Sequence, residues 1–440
     1  MKGGIVNFLA LVILICLIWF GGGYLEWEGK TRIGLICAVL AFWLLIYLYQ
    51  RYRAIRTARM IEERLREQAA GQIAAGADPD ALSDLQKRLD EAMGALKQSG
   101  LGRSALATVP WYIIIGPPGS GKSTALQASG LEFPKTGTGL NGIQGVGGTR
   151  NCEWWFTNEG ILLDTAGRYT SVEDDREEWV GFLDMIKATR ARTPINGVIV
   201  AISLADIATG SDEELNTHAA NIRARLDELC QRLQTVFPVY LLFTKCDLLT
   251  GFVDFFGDLG RNEREEVWGF TFPFQSMKAE RYQQVFRREL GELYDRLARR
   301  RLGLLTTERP PEKQQQVYSF PLQLAAVEEQ LTSFIGKVFR ENPYQESAIL
   351  RGFYFSSGTQ EGNPIDQVMG SLRQAFGVTA APSEAGGVPQ PSVEKKSYFL
   401  TGLFRKLIFP DSVLARSLAS AEKRRRVMHM TLISGSIAAS

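Results

Sequence analysis

Hydrophobic and polar positions are distributed very unevenly along the chain. Two uncharged apolar blocks open it, residues 5–23 (IVNFLALVILICLIWFGGG) and 33–49 (IGLICAVLAFWLLIYLY). Each approaches the ~20 residues that cross a bilayer core and predicts a transmembrane helix. After the first block a signal peptide would need small residues at a cleavage site; Trp19, Phe20, Tyr24 and Trp27 read instead as an interfacial aromatic belt. Buried helices of a soluble protein are the alternative. Only Lys30 and Arg32 lie between the blocks, whereas Arg51, Arg53, Arg56, Arg59, Arg64 and Arg66 follow the second. The positive-inside rule therefore makes residues 1–50 a hairpin with an outside turn and places the chain from 51 onward in the cytoplasm. A third apolar run, 427–440 (VMHMTLISGSIAAS), follows Lys423, Arg424, Arg425 and Arg426. It predicts a third membrane helix cut short, with residues 51–426 cytoplasmic in a multi-pass protein whose remainder lies across the membrane.

Between these blocks the pattern changes to that of a soluble domain. Leu82, Leu85, Leu89, Met93 and Leu96 recur at helical spacing, and AAGADPD at 74–80 interrupts the run. Residues 51–104 thus read as a two-helix stalk, either a solvated spacer or a partner-binding coiled coil. From there short apolar runs alternate with helical stretches, the signature of an α/β fold. The strands expected are WYIII (111–115), EWWFT and GILL paired as a hairpin around Asn158 and Glu159, NGVIVAIS (196–203), PVYLLFTK (238–245) and ILRGFYFSS (349–357). A helical insertion at about 250–345 is interrupted by WGFTFPF (268–274). These elements place an α/β domain at 105–365 and an extension with a linker at 366–426. The linker is the Pro, Gly and Ser-rich stretch 379–397, and the SYFLTGLFRKLIFP that follows is aromatic, basic and amphipathic, suited to a partner groove or the membrane surface.

Composition narrows the function. Fifty Lys and Arg against 48 Asp and Glu leave a net charge of +2, which offers no whole-chain footprint for nucleic acid. The five cysteines form no C-x-x-C pair and the chain has two histidines, so neither a zinc site nor a disulfide framework is indicated.

The chemistry starts where the WYIII strand ends. Gly116-Pro-Pro-Gly119-Ser120-Gly121-Lys122-Ser123-Thr124 is a complete G-x-x-x-x-G-K-S phosphate loop leading into a helical stretch. Its glycines let backbone N–H groups turn toward phosphate, the helix start adds its positive end, Lys122 supplies a cation for the β and γ phosphates, and the Ser123 hydroxyl is a Mg²⁺ ligand. Asp164, at the end of an apolar strand in Asp164-Thr165-Ala166-Gly167, is placed to be the outer Mg²⁺ partner, and Gly167 to present an N–H to the γ phosphate. Thr149 sits where a switch-type Mg²⁺-binding threonine would be, or belongs to a glycine-rich turn. Thr244-Lys245-Cys246-Asp247 matches [NT]-K-x-D, offering a carboxylate to a guanine edge and a Lys stem to the base plane. Ser356, Ser357 and Gly358 fall where a base-contacting loop would lie. Together these define a GTPase-like P-loop NTPase domain with a helical extension, binding ATP or GTP with Mg²⁺ and anchored by the N-terminal hairpin.

Along nearly its whole length the chain resembles the IcmF-like (TssM) family of inner-membrane core components of bacterial type VI secretion systems. The resemblance is carried by the hairpin, GPPGSGKST, GGTRNCEWWFTNEGILLDTAGRY, VYLLFTKCDLLTGFVDFFGDL, EREEVWGFTFP, RGFYFSSGTQEGNPID and SYFLTGLFRKLIFPD. It implies a homo-oligomeric inner-membrane protein with a TssL-like membrane partner, a TssJ-like outer-membrane lipoprotein meeting a periplasmic part, and a cytoplasmic baseplate to dock.

Two departures from the small-GTPase pattern bear on activity. Arg168 stands where such proteins carry a water-orienting Gln, and it cannot position water by accepting a hydrogen bond, so slow hydrolysis is expected. Arg168 either contacts phosphate or pairs with the acidic run Glu173, Asp174, Asp175, Glu177 and Glu178. Thr244 replaces the commoner Asn and leaves ATP and GTP both open. His218 lies in a polar helical stretch, as a surface residue rather than a catalyst. Three function classes follow: a membrane-anchored scaffold switched by nucleotide, an NTPase motor, and a scaffold with a vestigial pocket. The Arg168 departure disfavours the motor and the intact loop disfavours the vestige.

Overall fold

The computed structural model describes residues 15–20, 30–31, 33–45, 48–49, 52, 55–56, 108–132, 143–144, 152–165, 167, 176–190, 193–274, 279–340, 348–358 and 396–417. The stalk between 57 and 104, Thr149, Arg168, the acidic run 173–175, the linker up to residue 395 and the third apolar run lie outside these residues. Of the two opening blocks, residues 15–20 and 33–45 are helical. They hold Leu17, Trp19, Phe20, Ile33, Phe42 and Leu45 exposed. Among the described residues no helix is long and apolar enough to cross a membrane.

The strands in chain order are β1 (Trp111–Ile115), β2 (Ile143–Gln144), β3 (Cys152–Phe156), β4 (Ile161–Thr165), β5 (Gly197–Ser203), β6 (Thr235–Val236), β7 (Pro238–Thr244), β8 (Gly269–Thr271), β9 (Ile349–Phe355) and β10 (Arg416–Ser417). Eight form one mixed sheet in the order β2-β3-β4-β1-β5-β7-β9-β8, and β10 pairs with β6. Five strands at its centre, β4-β1-β5-β7-β9, run parallel. All residues of β1, β4, β5 and β7 are buried, as continuous apolar runs demand when both faces of a parallel sheet are covered. The expected hairpin is present: β3 and β4 are antiparallel with Phe156 opposite Ile161. WGFTFPF contributes more than an interruption. Its β8 pairs antiparallel with β9, Phe270 opposite Phe353, and ends the sheet.

The helices are α1 (Lys122–Gln127), α2 (Arg176–Thr189), α3 (Leu204–Thr209), α4 (Asp212–Leu233), α5 (Phe252–Phe256), α6 (Arg261–Arg264), α7 (Ala279–Leu305), α8 (Pro311–Ala326) and α9 (Glu328–Val338). Local sequence sets their limits. Ser211 caps α4 by accepting from the Glu214 N–H while the Glu214 carboxylate accepts from the Ser211 N–H, and Pro311 opens α8 where a missing N–H costs nothing. One sheet face is covered by α2, α4 and the helices of the insertion: Ile113, Val198 and Leu241 share a core with Phe182, Ile222 and Leu331. Insertion and sheet are joined by an aromatic knot in which Trp268, Phe252, Phe256 and Phe320 meet edge-on or tilted at 5.0–6.3 Å.

The opposite face holds a correction. The segment SYFLTGLFRKLIFP, expected to suit a partner groove or the membrane surface, instead places its apolar side chains in this chain's own core. Tyr398, Phe399, Leu400, Leu403, Phe404, Ile408 and Phe409 are buried. Leu400, Leu403, Phe404, Ile408 and Phe409 cover Tyr112, Ile114, Tyr240, Leu242 and Tyr354 of the sheet together with Ala125 and Leu126 of α1, while Tyr398 and Phe399 join the core of the other face against Phe252 and Phe256. An apolar stripe does not record which apolar surface it needs, and here the uncovered half of the sheet supplies it. The strap turns through a π-helical stretch, Leu403–Ile408, and a 3₁₀ turn, Pro410–Val413.

Candidate functional site

The parallel strands share one carboxyl end, and every described candidate residue sits there, as ligand-binding groups do in open α/β sheets. The phosphate loop leaves β1, Asp164 is the penultimate residue of β4, the TKCD run leaves β7, and Ser356 to Gly358 leave β9. Register aligns them: Ile114 lies opposite Asp164, Ser203 opposite Thr244, and Phe243 opposite Phe355.

The loop needs its glycines. Gly119 and Gly121 have φ of 72° and 79°, a left-handed conformation that costs residues with a Cβ about 1 kcal/mol or more. A Cβ on Gly116 would lie 2.0 Å from the Ala201 carbonyl oxygen, so β1 and β5 approach each other only with glycine there. Lys122 is buried and bends back over the loop, donating from Nζ to the Gly116 and Pro117 carbonyls at 2.9 Å each. Burial lowers its pKa and the Asp164 carboxylate partly restores it. Gly167 packs on the loop's other side, where an added Cβ would stand 2.4 Å from the Pro118 backbone.

Ser123 Oγ donates to Asp164 Oδ2 at 2.5 Å. Asp164 is only 5% exposed, and its Oδ1 has no hydrogen-bond partner among the described residues. Burial pushes its pKa up to about 6, against the lowering effects of the Ser123 hydroxyl and the Lys122 ammonium, while Glu153 adds to the rise. Glu153 faces Asp164 directly across the hairpin. Sequence reasoning passed over it, although alternation in EWWFT puts it on the face of the hairpin that carries Asp164.

A cavity of about 420 Å³ opens beside the loop. Residues 119–125 line its phosphate side and Thr244, Lys245, Asp247, Leu248, Ser356 and Gly358 the other. Asp247 is 7% exposed and its Oδ1 is without a partner among the described residues. Burial raises its pKa, opposed by a hydrogen bond from Ser357 and by the Lys245 charge. Thr244 behaves otherwise than a base-facing residue. Its hydroxyl donates to the Ser120 carbonyl at 2.6 Å, with the Ile202 carbonyl at 3.3 Å, and so braces the phosphate loop against the end of β7. Lys245 adopts a left-handed φ of 55° as the chain turns out of β7. His218 lies half-buried on α4, away from the site-forming strand ends.

Fold and loop define a mixed α/β protein with the strand, glycine loop and helix arrangement of phosphate-loop proteins. The chain belongs to the IcmF-related (TssM) family: the family description "IcmF-related N-terminal domain" matches residues 172–436. It is similar to the Type VI secretion system component TssM1 of Pseudomonas aeruginosa, 46% identical over 373 residues covering 83% of this chain. The chain spans 33% of the length of that relative. Among solved structures, the Arl6 BBS3 small GTPase of Trypanosoma brucei with a bound nucleotide analogue is 15% identical at a TM-score of 0.21, covering 32% of this chain and 69% of its own. The signal recognition particle receptor SRb-GTP/SRX complex of Chaetomium thermophilum is 18% identical at 0.22, covering 43% and 81%. Both are partial likenesses.

Proposed function

We propose that this chain is the membrane-anchored, cytoplasmic part of a type VI secretion scaffold, and that its α/β domain binds a nucleoside triphosphate with Mg²⁺ as a conformational switch. Family membership and the name of the relative from Pseudomonas aeruginosa support the secretion role. In that role the chain lies in a bacterial inner membrane, self-associates there, and meets TssL-like, TssJ-like and baseplate partners.

The observation that carries nucleotide binding is the pair of unpartnered carboxylate oxygens, Asp164 Oδ1 beside Ser123 and Asp247 Oδ1 in the cavity wall. A buried carboxylate oxygen without a donor costs several kcal/mol, roughly, and persists where a ligand completes it. Ser123 Oγ and Asp164 suit a hard cation that takes oxygen ligands; bound there, Mg²⁺ would neutralise phosphate charge. This chain's own share is positional. Loop N–H groups and the start of α1 receive phosphate oxygens, Lys122 holds a cation at the loop mouth, Thr244 keeps the loop in place, and Asp247 accepts from base N–H donors. Arg168, without water-orienting capacity, favours a switch over a motor.

The test is equilibrium binding of fluorescent ATP and GTP analogues to the 440-residue chain in detergent, with and without Mg²⁺. Lys122→Ala should weaken binding at least tenfold, as removal of a charge-assisted contact of roughly 1.5–3 kcal/mol requires. Ser123→Ala should abolish chiefly the Mg²⁺-dependent part. Parent-like Mg·nucleotide binding by both variants would remove the pocket from this location.

A further inference from the structure

The strap of residues 398–417 touches the pocket at two places. At its start, Tyr398 and Ser357 exchange backbone hydrogen bonds, Ser357 N–H to the Tyr398 carbonyl at 3.2 Å and Tyr398 N–H to the Ser357 carbonyl at 2.8 Å. Ser357 is also the residue whose side chain bonds the Asp247 carboxylate. The neighbouring links leave this loop little freedom: the Cys246 N–H donates to the Ser356 carbonyl at 3.1 Å, and the Ser356 N–H to Phe243 at 2.8 Å. The second contact is with the phosphate loop's helix. Leu400, Leu403 and Phe404 pack with Ala125, Leu126 and Leu131, at and just after α1. One segment therefore supports both the base-side loop and the helix that follows the phosphate loop.

Its far end is fastened by the pairing of β10 with β6 and by a few side-chain bonds. Arg351 donates from Nε to Asp411 Oδ2 at 2.6 Å and from Nη2 to Oδ1 at 3.3 Å, and the Tyr240 hydroxyl donates to Asp411 Oδ2 at 3.2 Å. Asn196 Nδ2 donates to the Ser412 carbonyl at 2.7 Å, and the Tyr112 hydroxyl to that of Ile408. Beyond the strap the sequence runs within a few residues into Lys423, Arg424, Arg425 and Arg426 and the apolar stretch 427–440. A segment that is clasped to the pocket at one end and continues into a membrane-directed sequence at the other can carry force or position between them.

We propose that the strap is the positioning element of the nucleotide pocket: its docking on the sheet holds the Ser357 loop and α1 in their binding geometry, so nucleotide affinity and strap docking are thermodynamically linked. The proposal rests on the pocket reading above. Linkage is reciprocal, so a ligand that needs the docked strap must tighten it, and loosening the strap must weaken the ligand by the same factor.

Amide hydrogen exchange on the full 440-residue chain in detergent, with and without saturating Mg·GTP or Mg·ATP, tests the first half. Exchange over residues 398–413 should slow about fivefold or more on binding, in the range of ordinary coupling between sites. Asp411→Asn tests the second half: it takes the charge and one acceptor out of the Arg351 clasp without touching a cavity-lining residue, and should raise strap exchange and weaken nucleotide binding by a similar factor. Binding that leaves exchange over 398–413 unchanged overturns the proposal alone, as does an Asp411→Asn chain whose strap exchanges faster while its affinity equals the parent's. Absence of nucleotide binding by the parent overturns it together with the pocket reading. The parent measurement is decisive even if the variant does not fold.

Discussion

The Ser123 hydroxyl donates to Asp164 Oδ2 at 2.5 Å, tying the first turn of α1 to the carboxyl end of β4 across the mouth of the site. Burial raises the Asp164 pKa from 3.8 to about 6. Its native state therefore binds more protons than its unfolded state between those values, and stability falls as pH rises through them. At neutral pH the ionised group costs on the order of 3 kcal/mol. Asp164→Asn should accordingly raise the Tm of the nucleotide-free chain by a few degrees while cutting Mg²⁺-dependent affinity about tenfold or more. In the parent, that affinity should fall as pH drops through about 6, where the carboxylate gains its proton. Calorimetry and a pH series of binding isotherms check this; an unaltered Tm with an unaltered pH profile would refute it.

Asp247→Asn tests the base. The substitution exchanges the open Oδ1 acceptor for a group that also donates. GTP affinity should fall about tenfold or more with ATP little changed if the carboxylate reads guanine, since a site built to pair a donor loses that pairing as an unsatisfied contact. Competition between the two nucleotides on parent and variant measures the ratio. Equal small effects on both would show that Asp247 does not face the base.

Thr244 is expected to matter for the loop rather than for base choice. Thr244→Val keeps the volume but leaves the buried Ser120 carbonyl without its 2.6 Å donor. Thermal or denaturant unfolding should show a loss of about 1–3 kcal/mol, and affinities for ATP and GTP should fall by the same factor. A change in the ATP to GTP ratio would contradict the bracing role.

Turnover by the isolated chain should be slow, about 10⁻⁴ to 10⁻² s⁻¹, the range of GTPases without an activator, because Arg168 replaces the water-orienting side chain. A single-turnover phosphate-release assay gives the rate. Values above about 1 s⁻¹ would turn the switch into a motor.

Labelling of single cysteines placed at residues 26 and 100 addresses topology. Position 26 should react with an impermeant reagent from outside the cytoplasm and position 100 only from within, following the basic residues after Tyr49. Cytoplasmic reactivity at 26 would refute the hairpin.

The central strands and the phosphate loop were legible because each leaves a local mark. Runs such as WYIII and PVYLLFT are apolar at successive positions and bounded by turn residues, which only doubly covered strands require. The hairpin followed from complementary runs around Asn158 and Glu159. What was not legible depends on distant partners. The stripe of Leu400, Leu403, Phe404 and Ile408 carries helical spacing without an address, so its place on the sheet could not be read. Thr244 was legible only as a replacement for the commoner Asn of its motif; its use as a brace appears only once β7 ends beside Ser120. Glu153 was hidden for the same reason, its relation to Asp164 arising from cross-strand register.

The strap also sets the order in which the chain can become a finished protein. Tyr112 packs against Phe409 at 5.9 Å, yet about two thirds of the sequence separates the second residue of the first central strand from its cover. β9 likewise joins β7 only after the entire helical insertion has been made. During synthesis Tyr112, Ile114 and Tyr240 therefore wait uncovered while the opening apolar blocks have already emerged. Contacts of such sequence separation form late and slowly. A ribosome that stalls before residue 398 releases a sheet with one bare apolar face, a species prone to aggregate and open to chaperones and proteases, so the nascent domain depends on its last stretch for its solubility.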